Sequence, residues 1–229
     1  MKTRGESHFI GLPRFGARLY DRFLSVEPIQ ARIAEIARDL VSRTESGKLL
    51  DVGTGPGRLL MEINRLNPDL ELFGLDISAS MIRVARNNLQ NIRANLRVGS
   101  IRRTDYESDF FTAVTSVGSF YLWDYPEESL EEIFRILKKD KSAHLFEVYK
   151  DINETEYRKA LRKNLRQLDW VRRLVGPLAL RKSVKMSYRT EDFVGIIEKT
   201  SFARSYTLEK IELSGLPMWA RITLKKMPS

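Results

Sequence analysis

The sequence predicts an α/β fold, with a doubly wound, mostly parallel sheet of seven strands and helices on both faces. Three observations predict it. Short apolar runs alternate with segments of helical periodicity from residue 42 to residue 150, which is typical of strand–helix units. A glycine-rich turn, Gly53 to Gly57, follows an apolar run. Two apolar runs at 206–213 and 217–225, joined by Ser214-Gly215, indicate a C-terminal antiparallel hairpin.

The individual elements follow from the spacing of apolar residues. Residues 1–16 are polar and are predicted to form a loose arm, and the spacing from Ile29 to Val41 predicts a helix. Ser78 and Thr190 are preferred N-cap residues for two later helices. Strands are predicted from Leu49 and at 70–75, 95–101, 111–117 and 143–149, and further helices at 58–66, 78–88, 127–137 and 190–199.

Composition excludes several kinds of chemistry. The 229 residues are 42% apolar and 30% charged, which is typical of a globular domain. The absence of cysteine excludes disulfides, thiolate metal sites and cysteine nucleophiles. His8 and His144 are too far apart in sequence for a zinc site, so no metal is expected. Because no apolar run spans a bilayer and the N-terminus lacks a signal-peptide core, a cytoplasmic protein without integral membrane association is expected.

The net charge of +9 is concentrated in one segment. Between Thr155 and Lys185 there are ten cations and two acids. Apolar residues from Tyr157 to Val175 follow one helical face, so a basic helical insertion is predicted after the fifth strand. The insertion is interpreted first as a cover over a ligand site and second as a surface for RNA or another anionic partner. The plain alternative is a helix whose charges keep it soluble.

The glycine turn is the most specific feature of the sequence. Gly53, Gly55 and Gly57 alternate after the acid Asp51 and precede a helix whose free N–H groups face the turn. A second acid, Asp76, closes the next predicted strand, where a carboxylate can accept both hydroxyls of a ribose.

Four residues are predicted to converge on one ligand site. Asp51, Asp76, Ile101 and Gly118 fall at the carboxyl ends of predicted strands. In doubly wound sheets the ligand sits at this edge, so these side chains are expected to lie close together.

These motifs resemble the class I methyltransferases that use S-adenosylmethionine (SAM), a family that includes the ubiquinone and menaquinone biosynthesis enzymes and many small-molecule methyltransferases. Leu49 to Gly57 resembles motif I of that family, Gly74 to Arg86 its second motif, and Leu130 to Lys138 the helix before its fifth strand. The sequence departs from the family pattern at Ser100, where an acid is usual, and at Lys139-Asp140-Lys141, where a glycine pair is expected.

The resemblance implies that SAM is the cofactor and S-adenosylhomocysteine the product. Asp51 and Gly53 would hold the methionine end, Asp76 would bind the ribose, and Ile77 and Met81 would pack on the adenine. The expected cofactor-binding residues are Tyr20, Asp51, Gly53, Thr54, Gly55, Gly57, Asp76, Ile77, Met81, Ser100, Ile101 and Gly118.

Four of these residues have roles at the rim of the site in the family pattern. Ser100 and Ile101 would lie at the edge of the adenine. Tyr20 matches a family tyrosine that can reach the methionine carboxylate, and Gly118 would sit beside the methyl-transfer centre.

The catalytic residue is left open by the sequence. Methyl transfer from SAM is an in-line displacement, so a base is needed only where the acceptor must lose a proton. Tyr121, Glu147 and Tyr149 are candidates because they follow or end the fourth and fifth predicted strands. Tyr121, Trp123, Asp124 and Tyr125 could form an aromatic wall for the substrate, and the alternative is that Phe120 and Trp123 belong to the core.

The resemblance implies a SAM-dependent methyltransferase that acts on a small-molecule acceptor, either anionic or apolar. Two alternatives are an RNA methyltransferase that uses the basic segment and a non-catalytic SAM-binding module. The sequence specifies neither the acceptor atom nor the oligomeric state. One domain, 1–229, is expected, comprising an N-terminal arm and helices (1–41), a SAM-binding core (42–150), a basic helical cover (151–189) and a closing helix with the hairpin (190–229).

Overall fold

In the computed structural model, which describes residues 14–165 and 184–228, seven strands form one sheet. The strands are β1 (Lys48–Val52), β2 (Glu71–Asp76), β3 (Ala94–Val98), β4 (Phe111–Val117), β5 (Leu137–Val148), β6 (Tyr206–Leu213) and β7 (Leu216–Lys225). Their order is β3-β2-β1-β4-β5-β7-β6. The pairings from β3 to β5 are parallel, and both pairings of β7 are antiparallel. The predicted fold class, strand number and closing hairpin are confirmed.

Helices cover both faces of this sheet. They are α1 (Arg14–Leu24), α2 (Glu27–Arg43), α3 (Arg58–Leu66), α4 (Ala79–Asn88), α5 (Pro126–Ile136), α6 (Glu154–Leu165) and α7 (Thr190–Ile197). On one face α2, α3 and α4 bury residues such as Leu40, Leu60 and Ala85. On the other face α5 and α7 bury Ile133 and Phe193 against the sheet. Within the described residues, no helix combines the length and apolar character needed to cross a bilayer.

The helix starts show how local sequence sets the boundaries. The hydroxyl of Ser78 accepts a hydrogen bond from the backbone N–H of Met81 at 3.4 Å, so the predicted cap of α4 is confirmed. The prediction that Thr190 caps α7 is wrong, because Thr190 is already the first helical residue. Its N–H and its hydroxyl each donate to Asp151 at 2.7 Å.

The turn between β6 and β7 has the backbone that a two-residue hairpin requires. Ser214 and Gly215 have positive φ angles of 49° and 71°. The N–H of Ser214 donates to the carboxylate of Glu35 at 2.8 Å, which attaches the tip of the hairpin to α2.

Several boundaries differ from the sequence predictions. Helix α1 begins at Arg14, inside the end of the predicted N-terminal arm, and β3 ends at Val98, so the expectation that Ile101 ends a strand is wrong. Ile101 instead lies in the following turn, with its side chain in the core. Asp140 has a φ of 62°, so an aspartate takes the left-handed backbone where the family pattern has glycine. Of the predicted basic insertion, α6 is described and residues 166–183 lie outside the described residues.

Candidate cofactor site

The glycine turn joins β1 to α3 at the carboxyl edge of the sheet. The N–H groups of Gly53 and Thr54 both donate to the carbonyl of Leu75 on β2, at 2.8 and 3.1 Å. Gly53, Gly55 and Gly57 have positive φ angles of 73°, 53° and 79°. The loop therefore bends back over the end of β2 before α3 begins, a path that residues with a Cβ rarely follow.

The glycines serve two different purposes. A Cβ on Gly53 would lie 2.5 Å from the hydroxyl of Ser119, and one on Gly57 would lie 2.7 Å from a methyl of Leu89, so packing requires both glycines. A Cβ on Gly55 would meet only the Gly53 carbonyl, 4.0 Å away, and one on Gly118 would meet nothing within 4 Å. Gly55 and Gly118 thus leave open space at the edge of the sheet, as a close-fitting ligand needs.

Asp76 connects the glycine loop to the end of β2. Its two carboxylate oxygens accept N–H groups from Gly55 and Ser78, each at 2.8 Å. Burial raises the pKa of Asp76, and the two N–H groups partly oppose that shift. Each carboxylate oxygen has two lone pairs, so both can accept a further hydroxyl. The residue fits the ribose-binding role expected from the sequence.

Apolar side chains lie open beside Asp76. Ile77 is 53% exposed and Val98, at the end of β3, is 51% exposed. Met81 is buried beneath them in α4, and the hydroxyl of Ser100 accepts the N–H of Arg102 at 3.2 Å. Exposed aliphatic groups next to an acid that can accept hydroxyls suit the flat, apolar face of an adenine. Ile101 belongs to the core rather than to this open surface.

Asp51 lies beneath the loop in β1 and is almost fully buried. Burial, with a smaller contribution from the negative charge on Asp76, raises the pKa of Asp51 to about 7. An ammonium group bound here would favour the charged carboxylate and lower that pKa, because an opposite charge stabilises the ionised form.

Helix α1 brings Tyr20 to the same edge. Arg58 donates to both carboxylate oxygens of Asp21 at 2.7 and 3.1 Å, and the amide of Asn88 donates to Asp21 and to the carbonyl of Pro56. We call Asp21, Arg58 and Asn88 the α1 anchor. Tyr20 is 42% exposed as a whole, and burial, followed by the negative charge on Asp76, raises the pKa of its hydroxyl.

The turn after β4 is held by a buried acid from β5. The N–H groups of Ser119 and Phe120 donate to one oxygen of Glu147, each at 3.0 Å. The other oxygen is buried and has no hydrogen-bond partner in the described part of the chain. Burial raises the pKa of Glu147 to about 8, so the carboxyl group is mostly protonated at neutral pH. Burial, Tyr20 and Glu147 together raise the pKa of Tyr121 to about 12.

The other residues considered near the acceptor have structural contacts. The hydroxyl of Tyr149 donates to the carbonyl of Pro217 at 3.2 Å. Phe120 is fully buried, with its ring centroid 4.8 Å from that of Trp123, which favours the core interpretation of both. His144 lies within β5 beside Thr223, and burial lowers its pKa to about 4.

Two contributions to the site were missed by the sequence analysis. One is Ser119. Its hydroxyl is hydrogen-bonded to the hydroxyl of Ser116 at 2.7 Å and donates to the carbonyl of Val52 at 3.2 Å, so it links β4 to β1. The other is the α1 anchor. An apolar spacing in residues 14–24 was a signal for the helix, but the sequence carries no signal for the Asp21–Arg58 pair.

Comparison with solved structures identifies the architecture. A protein from Methanococcus maripaludis, described as a SAM-dependent methyltransferase, aligns with 98% of this chain and 99% of its own at a TM-score of 0.70 and 20% identity. The fold is that of the class I methyltransferases. The plantazolicin methyltransferase BpumL, crystallised with S-adenosylhomocysteine and a desmethylplantazolicin analogue, aligns with 93% of this chain and 92% of its own at a TM-score of 0.69 and 16% identity.

Sequence comparison agrees with this class I methyltransferase fold. Residues 49–140 match the family described as Methyltransferase domain. Demethylmenaquinone methyltransferase from Thermotoga maritima is 28% identical over 131 residues, which cover 53% of this chain and 56% of the relative. The chain spans about half the length of the curated relatives it matches. The predicted family resemblance is confirmed.

Proposed function

We propose that this chain is a SAM-dependent methyltransferase that transfers a methyl group to a small-molecule acceptor by in-line displacement. One observation carries the proposal. The open space beside Gly55 and Gly118, the two accepting oxygens of Asp76 and the exposed Ile77 meet at one edge of the sheet. Each feature matches a different part of the same cofactor.

The cofactor contacts we propose follow the sequence assignment. Asp51, Gly53 and Thr54 hold the methionine end, and the backbone at Gly55 and Gly57 forms the turn around it. Tyr20 lies above the site on α1, within reach of the charge on Asp76. SAM, when bound, supplies a methyl group already activated on a sulfonium centre.

The remaining cofactor contacts concern the adenosine and the transfer centre. Asp76 binds the ribose, Ile77 and Met81 pack on the adenine, and Ser100 lies at its edge. Gly118 leaves room beside the transfer centre. The burial of Ile101 limits its role to support of the Ser100 turn.

On the acceptor side, we assign positioning and proton handling to Glu147 and Tyr121. Glu147 orders the turn after β4 through two backbone N–H groups, and its other oxygen is buried without a hydrogen-bond partner among the described residues. A carboxyl group with a pKa of about 8 can accept a proton from an acceptor hydroxyl at mildly alkaline pH or donate a hydrogen bond below it. Tyr149 is less suited because its hydroxyl already binds Pro217.

Relatives with related folds support a small molecule as the acceptor. Their names specify demethylmenaquinone in one case and plantazolicin in another. The RNA alternative depends on the basic segment 155–185, of which 166–183 lie outside the described residues, so it remains a prediction. The division of the chain into one domain with a basic helical cover remains a proposal as well.

Calorimetric titration with SAM and S-adenosylhomocysteine tests the cofactor site. The wild type should bind both, and Asp76→Ala should bind at least about 100-fold more weakly, because two charge-assisted hydrogen bonds are lost. Asp69→Ala, which removes an exposed acid just before β2, should bind as the wild type does. Absence of binding by the wild type would overturn the proposal. Binding without turnover on either metabolite or RNA acceptors would favour a SAM-binding module.

A further inference from the structure

A second polar site lies where α2 meets β7. The guanidinium carbon of Arg32 lies 5.0 Å from the ring centroid of Trp219. Nε of Arg32 and Nε1 of Trp219 are both buried, and neither has a hydrogen-bond acceptor in residues 14–165 and 184–228. Trp219 as a whole is only 6% exposed. Two buried N–H donors on neighbouring side chains therefore have no partner in the described part of the chain.

The missing partner has a definite chemical character. Arginine and the tryptophan indole carry donors and no acceptor, so only an accepting group satisfies both. Burial lowers the pKa of Arg32 to about 10, with a partial opposing effect from Glu35. The oxygens of Glu35 accept instead from the N–H and hydroxyl of Ser214. A negatively charged acceptor would balance the buried cation as well as fill the two donors.

The pair lies beside the proposed methyl-transfer centre. Trp219 is in register with Val148, the residue after Glu147, and Gly118 is bonded to the neighbouring Phe146. Two strand steps of about 4.8 Å, from β4 through β5 to β7, separate Gly118 from Trp219. The backbones of Gly118 and Trp219 are therefore on the order of 10 Å apart, a span that one small molecule can bridge.

The helix that packs on β7 carries exposed cations. Helix α6 packs on β7 and carries the exposed side chains of Lys159 and Arg162. Clustered positive charges raise the local concentration of anions and speed their association.

We propose that Arg32 and Trp219 form an anion subsite that binds the carboxylate or phosphate of the acceptor molecule. The guanidinium offers its planar pair of donors, and the indole N–H adds a third. An anion held here would orient the acceptor so that an atom about 10 Å away faces the methyl group. The subsite rests on the proposed function for its role, whereas its ability to bind an anion can be measured independently.

The indole N–H of Trp219 reports directly on such binding. In a ¹⁵N-labelled protein, the indole resonances of the three tryptophans are recorded, and that of Trp219 is assigned with Trp219→Phe. Acetate and inorganic phosphate are titrated separately at constant ionic strength, with chloride and the neutral acetamide as controls. We expect a saturable downfield shift of the Trp219 indole proton with acetate or phosphate and none with acetamide or chloride. The anion that binds more tightly shows whether the subsite prefers the carboxylate or the phosphate of an acceptor.

Variants on the same helix make the test specific. Arg32→Gln should raise the half-saturation concentration at least about tenfold, because a charged donor is lost. Arg38→Gln removes an exposed arginine from α2 and should change nothing. Arg32→Lys, which keeps the charge without the planar fork, should give an intermediate value and covers the case in which the glutamine variant fails to fold.

The outcomes separate this proposal from the proposed function. S-adenosylhomocysteine binding without any anion-dependent shift overturns the subsite and leaves the methyltransferase proposal intact. An anion-dependent shift in a protein that binds no S-adenosylhomocysteine supports the subsite and overturns the methyltransferase proposal. An equal shift with acetamide, or in Arg32→Gln, overturns the subsite.

Discussion

At the scale of single residues, Glu147 shows how burial can outweigh hydrogen bonding. Two N–H groups donate to one of its oxygens, which alone would favour the charged form. No cation bonds the carboxyl group in the described residues, and its second oxygen has no partner. Desolvation therefore dominates, and the pKa rises to about 8.

This raised pKa predicts the pH dependence of stability. The folded protein keeps a proton on Glu147 that the unfolded chain releases near pH 4.5, so this stabilisation is lost as pH rises towards 8. Glu147→Gln keeps an accepting oxygen and cannot titrate. Between pH 6.5 and 8 the free energy of unfolding of the wild type should fall by about 1.5 kcal/mol more than that of the variant.

Denaturant unfolding at the two pH values measures that difference. Glu107→Gln, at an exposed position, is the matched control and should keep the wild-type slope. Equal slopes in wild type and Glu147→Gln would mean that Glu147 is ionised in the folded protein.

Gly118 and Gly53 provide a second prediction at this scale. Both have positive φ, so alanine strains either position, but a methyl at Gly118 enters open space while one at Gly53 strikes Ser119. Gly118→Ala should lose about 1 kcal/mol of stability and most of its affinity for S-adenosylhomocysteine. Gly53→Ala should unfold at a clearly lower temperature than Gly118→Ala. Unimpaired ligand binding by Gly118→Ala would argue against a cofactor beside this residue.

Among single residues, the sequence predicted best the positions where the backbone conformation limits which amino acid fits. Gly53, Gly57 and Asp76 could be identified because a turn and a strand end limit which residues fit there. The partners of Glu147 and the stacking of Arg32 on Trp219 depend on contacts between distant segments, and no local pattern encodes them.

At the scale of elements, the α1 anchor controls how one wall of the site is held. Asp21 and Arg58 are largely buried and form a bidentate pair that connects α1 to the first residue of α3. The helix therefore rests on the same loop-helix unit that forms the glycine turn.

Asp21→Asn should loosen α1 without unfolding the protein. Replacing the carboxylate weakens a partly buried pair by roughly 1–2 kcal/mol. Amide hydrogen exchange in residues 14–24 should become faster, and S-adenosylhomocysteine should dissociate more rapidly. Asp105→Asn affects only a long, exposed contact with Arg97 and serves as the control. Unchanged exchange in α1 would show that the pair does not hold the helix.

The bounds of helices and strands were predicted well where the periodicity of apolar residues alone determines them. The bounds of α3 and β4 match the prediction, because both have a clear apolar pattern and turn residues at their ends. Helix α1 was missed because its first three residues were assigned to the polar arm and the rest to no element. Strand β5 starts earlier than predicted, at Leu137, which pairs with Phe111 of β4. The residues that follow, Lys138 to Lys141, look exposed and charged in sequence and gave no strand signal.

At the scale of the whole molecule, Arg221 connects the hairpin to the helical layer. From the central position of β7 its guanidinium donates to Asp39 of α2 and to Glu209 of β6. Side-chain exposure of Arg221 is 19%, so the contacts are better shielded than ordinary surface pairs.

Arg221→Ala should lower the free energy of unfolding by about 2 kcal/mol, because it leaves two acids without their shared cation. Arg43→Ala, which removes a more exposed partner of Asp39, should cost less. Affinity for S-adenosylhomocysteine should be unchanged in both variants, since neither residue lies near the glycine turn. A loss of affinity in Arg221→Ala would indicate that the hairpin also supports the cofactor site.

The fold class was predictable from sequence because alternating strands and helices admit few arrangements. The order of the strands is harder to predict from sequence. The position of β7 between β5 and β6 depends on pairing with β5, which lies far from it in the chain. Once the sheet is known, motif I predicts that the cofactor binds at the carboxyl end of β1, a prediction that the titration with SAM tests.

The place of β7 also sets an order of assembly. Strands β1 to β5 and their helices are contiguous in the chain, so the cofactor half of the molecule can form from local pairings. Strand β5 meets β7 only after α6, α7 and β6 have been made, and such distant pairings form slowly. A ribosome-bound chain would therefore have its glycine turn and Asp76 in position while one edge of β5 is still open to chaperones or to wrong partners. The anion subsite, which needs Trp219, would be the last part of the site to form.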